Sequence, residues 1–202
     1  MKVTAIILAG GKNVRLGRPK ALEVIGGKTI VERVVERLSP LTDQMLIVTG
    51  SGKIDLPGTD EAEFLTDLYP GYGPLGGIYT GLVGSQNSLN IAVACDMPFL
   101  NTKLLGYMIE QAGDCDAVVP RMDGDMIEPL HAIYSKTCLE TFKERLERKQ
   151  LSIHSFIQSL RVRYIERSES ERFDPSLLSF FNINYQADLD KAITIEASEH
   201  DK

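Results

Sequence analysis

The chain has 202 residues, a formal net charge of −6 and 43% hydrophobic residues. This predicts a single domain over 1–202 with a sizeable core, and the acidic balance argues against nucleic-acid binding, which leaves a basic footprint. No apolar run is long enough to span a membrane, and Cys95, Cys115 and Cys138 form no CxxC pair, which predicts a reducing, cytoplasmic setting.

In chain order, Val3 to Leu8 is continuously apolar after Thr4 and predicts a buried strand. The run is too short for a secretory h-region, and cations follow it at once. After Leu8 and Ala9 the chain turns to Gly10 and Gly11, then to Lys12, Arg15, Arg18 and Lys20 with no acid among them. Paired glycines let a ligand approach the backbone, whose N–H groups can form an anion-binding concavity. Arginine forks and compact lysine charges suit phosphate. The stretch therefore has the physical outline of a triphosphate site. It is not a P-loop: the only Gly-Lys-Thr, Gly27 to Thr29, would need its first glycine at Leu22.

A Gly26-Gly27 turn leads to Thr29 as an N-cap, with Glu32 at capping-box spacing and apolar residues recurring from Ile30 to Leu38. Gln44 to Thr49 predicts a second strand. Strand, helix and strand form a βαβ unit and a mostly parallel sheet. Further strands are expected at Glu63 to Thr66, Asn90 to Ala94, Ala117 to Val119, Leu130 to Tyr134, Val162 to Ile165 and Phe180 to Ile183. Helices are expected up to about Val83, at Thr102 to Gln111, Thr137 to Lys149, from Ser152, and at Asp188 to Ile195. Met122 to Asp125 reads as a turn with Asp-Gly at its centre.

Two stretches carry chemistry beyond the first loop. Gly71, Gly73 and Gly76 match G-x-G-x-x-G, with Asp96 downstream, the best case for a dinucleotide oxidoreductase. Asp67 to Pro70 separate that fingerprint from its strand, and Pro74 removes a donor. The other reading is a helix N-terminus close to a nucleotide. Asp96 follows a buried apolar strand, at the sheet edge where α/β proteins bind ligands, and is a natural Mg²⁺ ligand. Its structural alternative is a helix N-cap, a task better suited to Asn101 or Thr102. Cys95 reads as a buried structural thiol.

Leu8-Ala9-Gly10-Gly11, Arg15-Leu16-Gly17 and Lys20 together resemble the opening motif of the nucleotidyltransferases. Gly73-Pro74-Leu75-Gly76-Gly77 with Asp67 before it, Cys95-Asp96-Met97-Pro98, and Phe181-Asn182-Ile183-Asn184 continue the resemblance along the chain. It runs closest to the molybdenum cofactor guanylyltransferases within that family. The resemblance implies a three-layer α/β/α Rossmann-like fold and transfer of GMP from GTP to molybdopterin with release of pyrophosphate. It also implies Mg²⁺ on Asp96, nucleotide contacts from Leu8, Ala9, Gly10, Gly11, Lys20, Asp67 and Asp96, and catalytic roles for Arg15, Lys20 and Asp96. Asn182, Asn184 and His131 fall where the family has acceptor-side groups; strand-end asparagines and a packed core histidine are the alternatives. Transient contact with other cofactor-biosynthesis proteins is a further expectation, with no nucleic-acid or membrane partner. Cytidylyl or uridylyl transfer to another phosphorylated molecule, the oxidoreductase, and a non-catalytic nucleotide-binding regulator are the competing functions.

Overall fold

The computed structural model describes residues 2–10, 20–50 and 56–200. Strand β1 (Val3–Leu8) is buried almost throughout, as its unbroken apolar run requires. A short hairpin follows, β2 (Val24–Ile25) and β3 (Lys28–Thr29), turned by Gly26 and Gly27 at φ 59° and 83°. Both central positions of this turn need positive φ, which glycine adopts without strain. Helix α1 (Ile30–Leu38) opens with the expected capping box between Thr29 and Glu32. Next come β4 (Gln44–Thr49), β5 (Glu63–Thr66), α2 (Gly73–Gly84), β6 (Leu89–Ala94), α3 (Thr102–Glu110), β7 (Ala117–Arg121) and β8 (His131–Ser135). The chain continues through α4 (Leu139–Glu147), α5 (Ile153–Ile157), β9 (Val162–Glu166), α6 (Arg167–Ser170) and α7 (Gln186–His200).

Seven strands form one sheet in the order β5-β4-β1-β6-β8-β7-β9. Every neighbouring pair is parallel except those of β8, which runs against both β6 and β7. The sheet is thus mixed and mostly parallel, as expected. Side chains alternate between its faces. Ala5, Ile7 and Ile47 pack with α1 and α3 on one side; Ile6, Leu46 and Val48 pack with α2 and α4 on the other. This makes three layers, helix on sheet on helix.

Glycines set how closely α2 lies on the sheet. A Cβ on Gly81 would come within 2.3 Å of Ile6, and one on Gly84 within 2.5 Å of Leu65. The expected strand from Phe180 to Ile183 does not form. Leu177 is left-handed at φ 52°, Leu178–Phe180 is a single 3₁₀ turn, and the segment then extends without joining the sheet. Ile183 is fully covered in a side cluster where half-buried Phe181 meets Phe99, while Phe180 packs against the main core. Apolar content drives burial, and here packing satisfies it without a ladder. Among the described residues no helix is long and apolar enough to cross a membrane.

Candidate active site

The sheet order creates a crevice beside β1. The chain leaves β1 toward β4 and β5, then α2 carries it back to β6 on the opposite flank. Such a reversal of strand order is where open α/β sheets bind ligands, at the carboxyl ends of the strands. The mouth is pinned by two backbone bonds: Cys95 N–H donates to Leu8 O at 3.1 Å, and Ala9 N–H to Val48 O at 2.9 Å. Gly10 leaves β1 between these anchors. A Cβ there would sit 3.6 Å from Gly50 N, an ordinary contact, so close packing of the described residues does not require the glycine. Gly11 and Arg15 lie outside the described residues.

Three distant segments converge at this mouth. Lys20 begins a 3₁₀ turn anchored by buried Ala21, and Glu23 N–H donates to Lys20 O at 3.0 Å. The Lys20 Nζ donates to Asn184 Oδ1 at 2.8 Å and stands 3.5 Å from Asp96 Oδ2. Asn184 is held in turn by Asp188, whose Oδ2 accepts from the backbone N–H groups of Asn184 and Tyr185, both at 2.8 Å. Ile183 N–H donates to Asp96 O at 3.0 Å, which locks the returning segment against β6. Asp96 does not cap α3. Asn101 does, accepting from Lys103 and Leu104 N–H at 3.0 Å each.

The site is electrostatically uneven. Burial pushes the Asp96 carboxyl above the usual carboxylate range, and nearby Lys20 only partly offsets it. The Asp96 side chain is 19% exposed and that of Lys20 14%. An anionic oxygen so placed favours a further cation. Among the described residues no three His, Cys, Asp or Glu side chains gather into a metal cluster. Mg²⁺ needs no such cluster, since one or two protein oxygens suffice when substrate phosphates and water complete the shell. Asp96 and the Asn184 amide oxygen are hard donors of that kind, so the residues fit the ion. Burial pushes the Cys95 thiol up to about 12, so it stays protonated and is a poor nucleophile.

Asp67 ties its own loop to α2. Its Oδ1 accepts from Tyr69 N–H at 2.9 Å and Thr80 Oγ1 at 3.1 Å, while Oδ2 has no partner among the described residues. The glycine fingerprint has local causes. Gly71 and Gly73 take φ of 87° and 66°, and a Cβ on Gly76 would meet Tyr69 O at 2.8 Å. The strands joined by α2 are not neighbours: β4 and β1 separate β5 from β6. A dinucleotide site needs an adjacent parallel pair at this point, so the oxidoreductase reading fails on topology.

His131 lies in the core instead of the mouth. It is fully buried, its Nε2 is 2.6 Å from Ser179 Oγ, and the Phe180 ring packs on it at 4.6 Å. Burial lowers it to about 4, so it is neutral at physiological pH. Asn182 turns its amide toward Phe180 O at 3.3 Å. Of the three residues expected on the acceptor side, only Asn184 reaches Lys20. Sequence reading missed Asp188 and Thr80, which orient the site from behind. Asp188 four residues after Asn184, at a helix start, was a usable signal.

The MobA-like NTP transferase domain matches residues 5–164. The chain belongs to that family. This MobA-like NTP transferase is 38% identical over 192 residues to the molybdenum cofactor guanylyltransferase of Desulfosudis oleivorans, with 94% of each chain covered. Its fold matches the crystal structure of molybdopterin-guanine dinucleotide biosynthesis protein A from Archaeoglobus fulgidus with a TM-score of 0.81 at 32% identity, covering 98% of this chain and all of that one. The 2-C-methyl-D-erythritol 4-phosphate cytidylyltransferase of Thermus thermophilus gives a TM-score of 0.71 at 18% identity, covering 98% of this chain and 100% of that one, a likeness of fold alone. The chain is therefore an enzyme of the nucleotidyltransferase class, in the three-layer fold expected from its sequence.

Proposed function

We propose that this MobA-like NTP transferase moves GMP from GTP to molybdopterin and releases pyrophosphate. The observation that carries the reading is the meeting of Lys20, Asp96 and Asn184 at the switch point of the sheet. The names of the relatives at 32–38% identity supply the two substrates.

A phosphate oxygen of the acceptor attacks the α-phosphorus of GTP in line. The new P–O bond forms as the bridge to the β-phosphate breaks, and pyrophosphate carries away the bonding pair. Such transfers depend on positioning and charge stabilisation more than on covalent help from the protein. Lys20 places an ammonium against the negative charge, and Arg15 adds a second cation from the loop motif. Gly10 and Gly11 offer backbone N–H groups to the phosphates. Asp96, with Asn184 beside it, would hold Mg²⁺, which when bound neutralises phosphate charge. Asp67 would meet the nucleoside through its remaining oxygen. The enzyme would work in the cytoplasm, in transient contact with other proteins of cofactor assembly.

Pyrophosphate release, measured with each of four NTPs and molybdopterin in the presence of Mg²⁺, tests the reading. Turnover is expected with GTP, along with a larger rise in melting temperature than CTP, UTP or ATP gives. A clear preference for CTP would move the enzyme to the cytidylyl relatives.

A further inference from the structure

The opposite flank of the mouth is built from β6, β8, β7 and β9. Strands β7 and β6 both run against β8, so β7 points the same way as β1 and its end reaches the same sheet edge. Parallel β9 ends there as well. The connection from β7 to β8 therefore hangs at the edge that carries Asp96. Leu130 closes it against β6, its carbonyl accepting from Ala94 N–H at 3.2 Å, two residues before Asp96.

Three acids around β7 and β9 come with arginine partners. Glu166 pairs with Arg121, Asp123 with Arg167, and Glu169 with Arg163 at 2.6 Å. Glu128 differs. Its backbone is fixed at both ends: its N–H donates to Pro120 O at 3.0 Å, and its carbonyl accepts from His131 N–H at 3.1 Å. Its half-buried carboxyl has no hydrogen-bond or ion-pair partner among the described residues, and burial alone pushes it above the usual range. A rigidly mounted carboxylate that is partly dehydrated and unpaired costs stability. Such groups concentrate where a ligand completes them. Met126, two residues earlier, is 61% exposed and offers a polarisable apolar surface beside it.

We infer that Glu128 recognises the acceptor by accepting two hydrogen bonds from a planar amino-and-ring-N–H edge, as a pterin presents. The inference rests on the reading of molybdopterin as acceptor. A pterin carries an exocyclic amino group beside a ring N–H, and these two donors point the same way. A carboxylate matches that pair with both oxygens, the geometry that makes carboxylate–guanidinium forks selective. Guanine presents a similar edge, but in the proposed function the nucleoside is met by Asp67, which follows β5 at the far side of the sheet from β7 and β8. A site built to accept such donors rejects analogues that lack them, because its buried oxygen is left unpaired.

The test is Glu128→Gln in the whole chain, with the wild type run beside it. The amide keeps the size but loses one acceptor and the charge. Three quantities are read: KM for molybdopterin, KM for GTP, and binding of a phosphorylated 6-hydroxymethylpterin followed by its fluorescence. The expected result is a tenfold or greater rise in molybdopterin KM and a matching loss of pterin affinity, with GTP KM unchanged and a melting temperature at or above that of the wild type. Molybdopterin KM within twofold of wild type overturns the inference. So does a rise confined to GTP KM, which would place Glu128 on guanine, and so does a wild type that binds no pterin. Absence of GTP-dependent pyrophosphate release from the wild type is a separate outcome, and it fails the proposed function.

Discussion

Two partly buried ionic clusters bind the far end of the chain to its beginning, and they are built in opposite ways. Arg33 on α1 and Glu196 on α7 form a two-pronged pair in which both terminal nitrogens of the guanidinium are used. Nη1 also donates to Ile25 O at 3.2 Å, and the cation lies 5.6 Å from the centre of the Phe99 ring. Lys20, Asp96 and Asn184 are looser: one short bond, one contact at 3.5 Å, and a carboxyl that burial still pushes upward. The first cluster pairs both terminal nitrogens of its guanidinium, and only the buried Arg33 Nε is left without a partner among the described residues. The second is looser, and under the proposed function a cation and the phosphates of the nucleotide would complete it. Saturation distinguishes a clamp from a site more clearly than burial does, because both are mostly covered.

The sharpest way to test that contrast is Asp96→Asn. Loss of one electrostatic contact to a transition state typically costs about 3–4 kcal/mol, or on the order of a hundred- to thousandfold in turnover. The fold should survive. Because the Asp96 carboxyl is raised in the folded chain, that chain holds its proton more tightly than the unfolded one. Its contribution to stability is therefore lost as pH rises from the ordinary value of 3.8 through the raised one. The variant should thus match or exceed the wild type in melting temperature at neutral pH and lose that advantage in acid. The Mg²⁺ concentration needed for half-maximal turnover of the wild type should rise in acid, as protons compete with the ion for the carboxylate. A variant that melts earlier at neutral pH would make Asp96 a structural residue.

Glu196→Gln strikes the other cluster. Removing one charge from a buried pair costs about 3 kcal/mol at the lower end of what is measured. In a chain of this size that lowers the melting temperature by roughly 6–12 °C. Turnover per folded molecule should stay at the wild-type value, and a fall in it would join the two clusters into one functional unit. The smallest effect is expected from Asn184→Ala. A hydrogen bond to a charged group contributes about 1.5–3 kcal/mol, so turnover should drop roughly ten- to hundredfold. The Mg²⁺ concentration needed for half-maximal rate should rise with it. Normal Mg²⁺ dependence would leave Asn184 holding Lys20 alone.

Local signals in the sequence were read correctly where short-range physics decides. The apolar run of β1, the Thr29–Glu32 box and the turn at Gly26-Gly27 all formed as expected. Asp96 was placed correctly because a buried strand ended just before it, and Asn101 took the capping role. What could not be read was direction and distance. Nothing in the residues of β8 states that it runs antiparallel, since alternation looks the same from either end. Phe180 to Ile183 has strand composition, yet Phe180 packs on His131 while Phe181 and Ile183 meet Phe99 and α7. His131 carries a ring suited to acceptor chemistry, but the pairing of β8 with β6 turns it into the core. The choice between Asn182 and Asn184 depended on which one meets a lysine 164 positions earlier, a contact that no local pattern encodes.

That long span has a consequence for how the enzyme comes into being. Translation proceeds at about 5–20 residues per second, and the earlier part of a chain folds first. Lys20 therefore waits on the order of ten to thirty seconds before Asn184 has been made. Through that interval β1, β4 and β6 can pair with one another, but the crevice has only two of its three walls. A nascent or prematurely terminated chain could shelter its hydrophobic sheet and still be unable to consume nucleotide. Catalytic competence would arrive only once the segment that carries Asn184 has been made.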